Sequence, residues 1–150
     1  MNELAIAIVA RMQGDTGPGG LSASDGATGG FHRGKAPSDA TYPRVHFKPL
    51  TGLPKYVTVG EAYRKAFIQF TTFAADPVNG GESGQSIASR LNKRIQALFT
   101  DAEFTIAGHE LIYCRPEREL PSDTSFDETR GDIYSEGCVI EIWTAKVETP

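Results

Sequence analysis

The sequence predicts a single α+β domain: a mostly antiparallel β-sheet with two helices packed on one face and a long glycine-rich loop after the first helix. Three observations carry this. The 150 residues are the size of one domain. Residues 86–99 repeat apolar side chains at helical spacing. The remaining apolar stretches are rich in β-branched and aromatic residues and follow one another too closely for the crossover connections of a parallel sheet.

In chain order, residues 2–12 read as a short helix. Leu4, Ile8 and Met12 recur every four residues with Ala5 and Val9 alongside; Asn2 suits the N-cap and Gly14 the stop. Residues 14–41 form the long loop. Eight of the 21 residues from Gly14 to Gly34 are glycine, and the segment holds too little apolar surface to offset the entropy of ordering it alone. A loop this long is functional or mobile, and mobility in the free subunit is expected.

Residues 42–50 are strand-like, with Val45 and Phe47 on one face; Pro43 and Pro49 confine the strand to an edge or mark its ends. Residues 56–59 suggest a short extension. Residues 63–74 form the next strand, with Phe67, Gln69, Thr71 and Phe73 on one face and Ile68, Phe70 and Thr72 on the other. In the helix at 86–99, Ile87, Leu91, Ile95 and Leu98 make the apolar stripe, widened by Ala88 and Phe99. Ser89, Arg90, Asn92, Lys93, Arg94 and Gln96 fill the other side, and Ser83 or Ser86 caps the start. Residues 104–106 and 110–114 read as two strands joined by a tight turn at 107–109. The polar, acidic stretch 115–136 reads as a loop or hairpin. In the last strand Cys138, Ile140, Ile142 and Thr144 alternate with Val139, Glu141, Trp143 and Ala145.

Composition narrows the function classes. The longest apolar run, residues 4–10, is far short of the ~20 residues that span a bilayer. It follows Glu3 rather than a basic segment, so no secretion signal is read and synthesis in the cytoplasm is expected. Cys114 and Cys138 then read as reduced structural thiols.

Charge is unevenly placed. Residues 114–136 hold seven acids (Glu117, Glu119, Asp123, Asp127, Glu128, Asp132, Glu136) against three arginines, a local −4 equal to the net charge of the chain. Residues 31–65 hold Arg33, Lys35, Arg44, Lys48, Lys55, Arg64 and Lys65 against Asp39 and Glu61, a local +5. These are either two solvated segments of opposite sign or the complementary flanks of a self-associating subunit.

No catalytic constellation emerges. Residues 29–35 fit G-x-x-x-x-G-K, but no strand precedes them, Ala36 stands where a magnesium-binding hydroxyl belongs, and Pro37 follows. His32, His46 and His109 form no metal-ligand pair with each other or with a cysteine; His46 reads as an exposed strand residue. The acidic stretch lacks calcium-loop spacing. Aromatics interleave the basic stretch, as nucleic-acid stacking would require, but a pI of about 5.4 argues against a dedicated binder. No cofactor is expected.

Taken end to end, the chain resembles the phage tail terminator family, the tail-completion or tail-to-head joining proteins. The likeness is a pattern over most of the chain. A short helix and a variable loop precede a Tyr-Pro-led strand (Tyr42, Pro43, Arg44, Val45, His46, Phe47). A strand of the Phe67-to-Phe73 type and a Ser/Gly-rich approach to a helix ending in Ala97-Leu98 come next. A hairpin and a closing strand with Trp143 near its end complete it. The long glycine-rich stretch departs from the pattern.

The resemblance implies a non-catalytic virion protein, made in the host cytoplasm, that forms a ring of six copies on the head-proximal end of the tail tube. Its partners would be its own copies, the tail tube protein and a head-completion or neck protein, with DNA passing through the lumen without specific binding; an acidic lumen would let it slide, because a basic one would bind phosphates. Interface or lumen residues would come from Glu117, Glu119, Asp123, Asp127, Glu128 and Asp132 on the acidic side and Arg33, Lys35, Arg44 and Lys48 on the basic side. Two alternatives stay open: another neck, head-completion or tube subunit, and a small enzyme or ligand-binding protein built around Tyr113, His109 and the acidic stretch.

Overall fold

The computed structural model describes residues 2–50, 63–77 and 80–147. The elements follow as α1 (Asn2–Gln13), β1 (Phe31–Arg33), β2 (Arg44–Pro49), β3 (Tyr63–Ala75), α2 (Gly84–Leu98), β4 (His109–Asp127) and β5 (Gly131–Lys146). The five strands form one sheet in the order β1-β2-β3-β5-β4. Every junction is antiparallel except the short parallel pairing of β1 with β2. The architecture is the α+β sheet with two helices that the sequence predicts.

Alternation along the strands sets the core. On β3, Ile68, Phe70, Thr72 and Ala74 are buried, while Phe67, Gln69, Thr71 and Phe73 are half-buried on the opposite, helix-free face. The register places Cys138, Ile140 and Ile142 of β5 beside Phe70, Ile68 and Ala66, so one continuous apolar surface meets the helices. From α1 it receives Leu4, Ala7, Ile8 and Met12; from α2, Leu91, Ile95 and Leu98. A run of rings crosses it: Phe47 lies 6.0 Å from Phe70, Phe70 5.2 Å from Phe99, and Phe99 5.8 Å from Phe104.

Helix α2 starts two residues earlier than its apolar stripe suggests. The Ser83 hydroxyl caps it by accepting the Ser86 N–H at 3.2 Å. Gly84 opens the helix because a Cβ there would sit 2.7 Å from the Tyr134 ring. Asn92 lies on the buried side of the helix rather than the solvent side: its Nδ2 donates to the Gly137 carbonyl at 3.4 Å, which ties α2 to β5.

One further reading changes, and one open choice is resolved. Residues 104–106 are not a strand; Ile106 makes a single bridge to His109 across the turn at 107–108. Between loop and hairpin for the acidic stretch, the structure has the hairpin: β4 runs on to Asp127 and turns directly into β5. β4 is an edge strand, which accommodates Pro116 and Pro121, and its pairing with β5 shifts register at three places. Residues 56–59 lie outside the described residues.

The glycine-rich segment makes a definite set of contacts that its composition does not suggest. Leu21 is fully buried and Ala27 nearly so. The Asp15 carboxylate accepts the Leu21 N–H at 2.9 Å and the Arg94 Nε–H at 2.8 Å, with a second bond from Arg94 Nη2. The Arg94 bond holds the Asp15 carboxyl below the usual range, against the opposing effect of burial. The glycines permit close backbone approach: a Cβ at Gly26 or Gly29 would run into the carbonyl of Leu21 or Thr41. Phe31–Arg33 then pairs with β2. Leu21 behaves as a core residue, so Leu21→Ala is expected to lower unfolding free energy by about 2–5 kcal/mol. Denaturant titration measures this; an unchanged midpoint would mean the segment is detached from the core.

Candidate assembly surface

Strand order converts the charge segregation of the sequence into geometry. Arg33, Lys35, Arg44 and Lys48 gather on and beside β1 and β2, where Asp39 is the one acid among residues 31–50. Glu110, Glu117, Glu119, Asp123 and Asp127 lie on β4 against Arg115 and Arg118. β3 and β5 separate the two groups. With strands about 4.8 Å apart, β2 and β4 stand roughly 14 Å from each other. One sheet therefore carries a basic edge and an acidic edge.

The predicted residues differ in what they do within the chain. Glu119 accepts from Gln96 of α2 at 2.9 Å, tying the acidic edge to the helix layer. Asp127 accepts the N–H groups of Thr129 and Arg130 at 2.8 and 3.1 Å and so closes the β4–β5 turn. Glu117 pairs with the adjacent Arg118 at 3.3 Å. Asp123 accepts the N–H of Thr124 at 2.9 Å. Glu128 and Asp132 are exposed at the hairpin end.

On the basic side, Arg44 donates to the Ala40 carbonyl at 3.2 Å and lies 4.4 Å over the Tyr42 ring. Lys48 and Arg33 are exposed. The two sets also meet within the chain. Lys35 and Arg44 share a cleft of about 430 Å³ with Asp127 and Arg130, where residues 35–42 approach the hairpin end. His46 is half-buried, not exposed; its ring nitrogen Nδ1 lies 2.9 Å from the Gly34 carbonyl, and burial lowers its pKa.

Composition and charge counting miss the most tightly tied cluster. Glu141 is 4% exposed on the helix-free face. Its carboxylate receives Lys65 Nζ at 2.6 Å, Arg115 Nε at 3.1 Å and the Tyr113 hydroxyl at 3.3 Å. Tyr113 stacks on Trp143 at 5.3 Å, and Lys65 lies 5.4 Å from the Trp143 ring. The signal is one acid in the apolar run Cys138 to Trp143, a position where a carboxylate requires partners. Burial raises the Glu141 pKa, but the bonds from Lys65 and Arg115 outweigh it and the net shift is downward.

Glu141 is fixed as a charged acceptor, and burial, then the Glu141 charge, raise the Tyr113 pKa. Burial pushes the Cys138 thiol up to about 12 and also raises Cys114, so burial favours the neutral thiol at both. Tyr113 and His109 do not converge. Tyr113 pairs with Trp143 on the helix-free face, whereas His109 pairs with Lys146 on the other, the register shift at Leu111/Tyr113 lying between them. The G-x-x-x-x-G-K segment contains β1 and leads through a turn into β2, without the helix that presents amides to a phosphate. Among the described residues, no group of three or more His, Cys, Asp or Glu is placed to hold a metal ion, and no helix is long and apolar enough to cross a membrane.

The Glu141 cluster predicts a pH dependence. Its folded pKa lies below the ordinary 4.5, so the stability it adds is complete above about pH 4.5 and is lost as pH falls through the lowered value. Glu141→Gln should therefore be less stable than wild type at neutral pH, with the gap narrowing in acid. Denaturant midpoints from pH 7 to pH 3 check this; a gap independent of pH would show that the charge is not the source. In comparisons with known proteins, no protein-family model matches this chain and no curated protein matches its sequence.

Proposed function

We propose that this chain is a structural, non-catalytic ring subunit of a phage tail, a terminator that caps the head-proximal end of the tail tube and joins it to the head or neck. The observation that carries the reading is the basic edge and the acidic edge on opposite sides of one sheet. A closed ring needs a heterologous interface, in which one flank of each copy meets a different flank of the next. Oppositely charged edges supply both the attraction and the polarity of such a contact. The likeness of the element pattern to tail terminators supports the same reading and gives a ring of six as the expected size. The tight tethering of Glu141 and the buried state of both thiols favour assembly over chemistry. A net charge of −4 suits a pore through which DNA moves without adhering, because neutralising phosphates with cations would bind it.

Two measurements test this. Electron microscopy of a phage lacking the chain should show free heads beside headless tails of irregular or excessive length. Tails of normal length that fail to join would instead indicate a head-side neck protein. For the purified chain, sedimentation should give one discrete multimer. Reversing Glu117, Glu128 and Asp132 to Lys should convert it to smaller species, most completely at low salt where charge contacts count for most. A variant that sediments as wild type would remove the charged edges from the interface.

A further inference from the structure

We infer that the hairpin end of one copy docks into a groove on the helix-free sheet face of the next, with Phe126 as the inserted side chain. The inference rests on the self-assembly reading above and specifies its contact. Phe126 is 73% exposed, the highest value among the exposed large hydrophobics of the described residues. It sits on β4 next to the turn and pairs with Asp132, with Glu128 close by in the turn. An aromatic ring left in water beside the β4–β5 turn, one pair beyond the end of β3 and flanked by acids, is a surface suited to a partner rather than to its own core.

The groove lies elsewhere on the same chain. It has a volume of about 340 Å³ and is lined in part by His46, Lys48, Gln69, Thr71, Phe73 and Asp123. For scale, a cavity of about 150 Å³ holds a benzene ring. The half-buried Phe73 ring stands edge-on to His46 at 4.9 Å and offers an aromatic wall, while Lys48 at the rim complements Glu128 and Asp132 of an incoming hairpin. Asp123 is the one acid in that lining.

A chain cannot fill its own groove. Ser125 pairs with Ile133, which pairs with Ala75, on the face of Phe73 and Thr71; strand alternation then places Phe126 on the opposite face. Knob and groove therefore point away from each other, and the knob of one copy can reach the groove only of another. Such a contact is heterologous and builds a closed ring or a stack of subunits.

The test compares wild type with Phe126→Ala, which removes the knob, and Thr71→Trp, which fills the groove. Each is measured by sedimentation over a range of concentrations, with the unfolding midpoint confirming the fold. Each variant should weaken association at least about tenfold. Mixing the two should restore one sound junction, between the knob of Thr71→Trp and the groove of Phe126→Ala, and give a 1:1 dimer. If Phe126→Ala sediments as wild type, the inference is wrong while the self-assembly reading stands. If Phe126→Ala dissociates and the mixture yields no dimer, the groove assignment is wrong. A wild-type chain that is monomeric at every concentration would overturn the self-assembly reading itself.

Discussion

The fold depends on β5 pairing along its length with two strands at once. From Ile133 to Ala145 it bonds β3 on one side, and over nearly the same span it bonds β4 on the other. A strand enclosed in this way has to be apolar on the face under the helices and tightly partnered on the other. Cys138, Ile140 and Ile142 meet the first requirement. Glu141, held by Lys65 from β3 and Arg115 from β4, meets the second, and it stitches three strands together with one carboxylate. Isolated burial of that charge would be prohibitive; two cations and a hydroxyl make it a fixed point.

The position of β5 also determines the electrostatics of the surface. Because β5 inserts between β3 and β4, most of the chain's acidic stretch is carried to the far edge of the sheet from β1 and β2, while its hairpin end meets residues 35–42. Direct neighbours in the order β2-β3-β4 would have brought the two closer and cancelled much of the field. Insertion of one strand keeps much of that separation, and a polarised surface steers a charged partner before any contact forms.

Periodicity made the main elements legible. The stripe of Leu91, Ile95 and Leu98 located α2, and the alternation from Phe67 to Phe73 located both faces of β3. Local patterns failed where long-range contacts decided the outcome. Asn92 looks solvent-facing by composition, yet a β5 carbonyl requires a donor at that height. Leu21 is the one large apolar residue between Gly14 and Gly30, and nothing nearby shows that Asp15 and Arg94 fix it against the core. The acidic stretch concealed a strand because its side chains carry no alternation; an edge strand facing water needs none. The charged segments were visible as numbers, but their placement on opposite edges depended on strand order, which no window of sequence contains.

The interruptions in β4 bear on how the protein fares when crowded. An uninterrupted edge strand is a template on which further chains add by backbone pairing, indifferent to side-chain identity and without a natural end. Pro116 and Pro121 remove two amide donors from this edge, and the three register shifts break its spacing. These interruptions work against fibrous growth through that edge. What β4 offers a neighbour is thereby weighted towards its side chains, whose shape and charge discriminate among partners in a way a bare ladder of amides cannot.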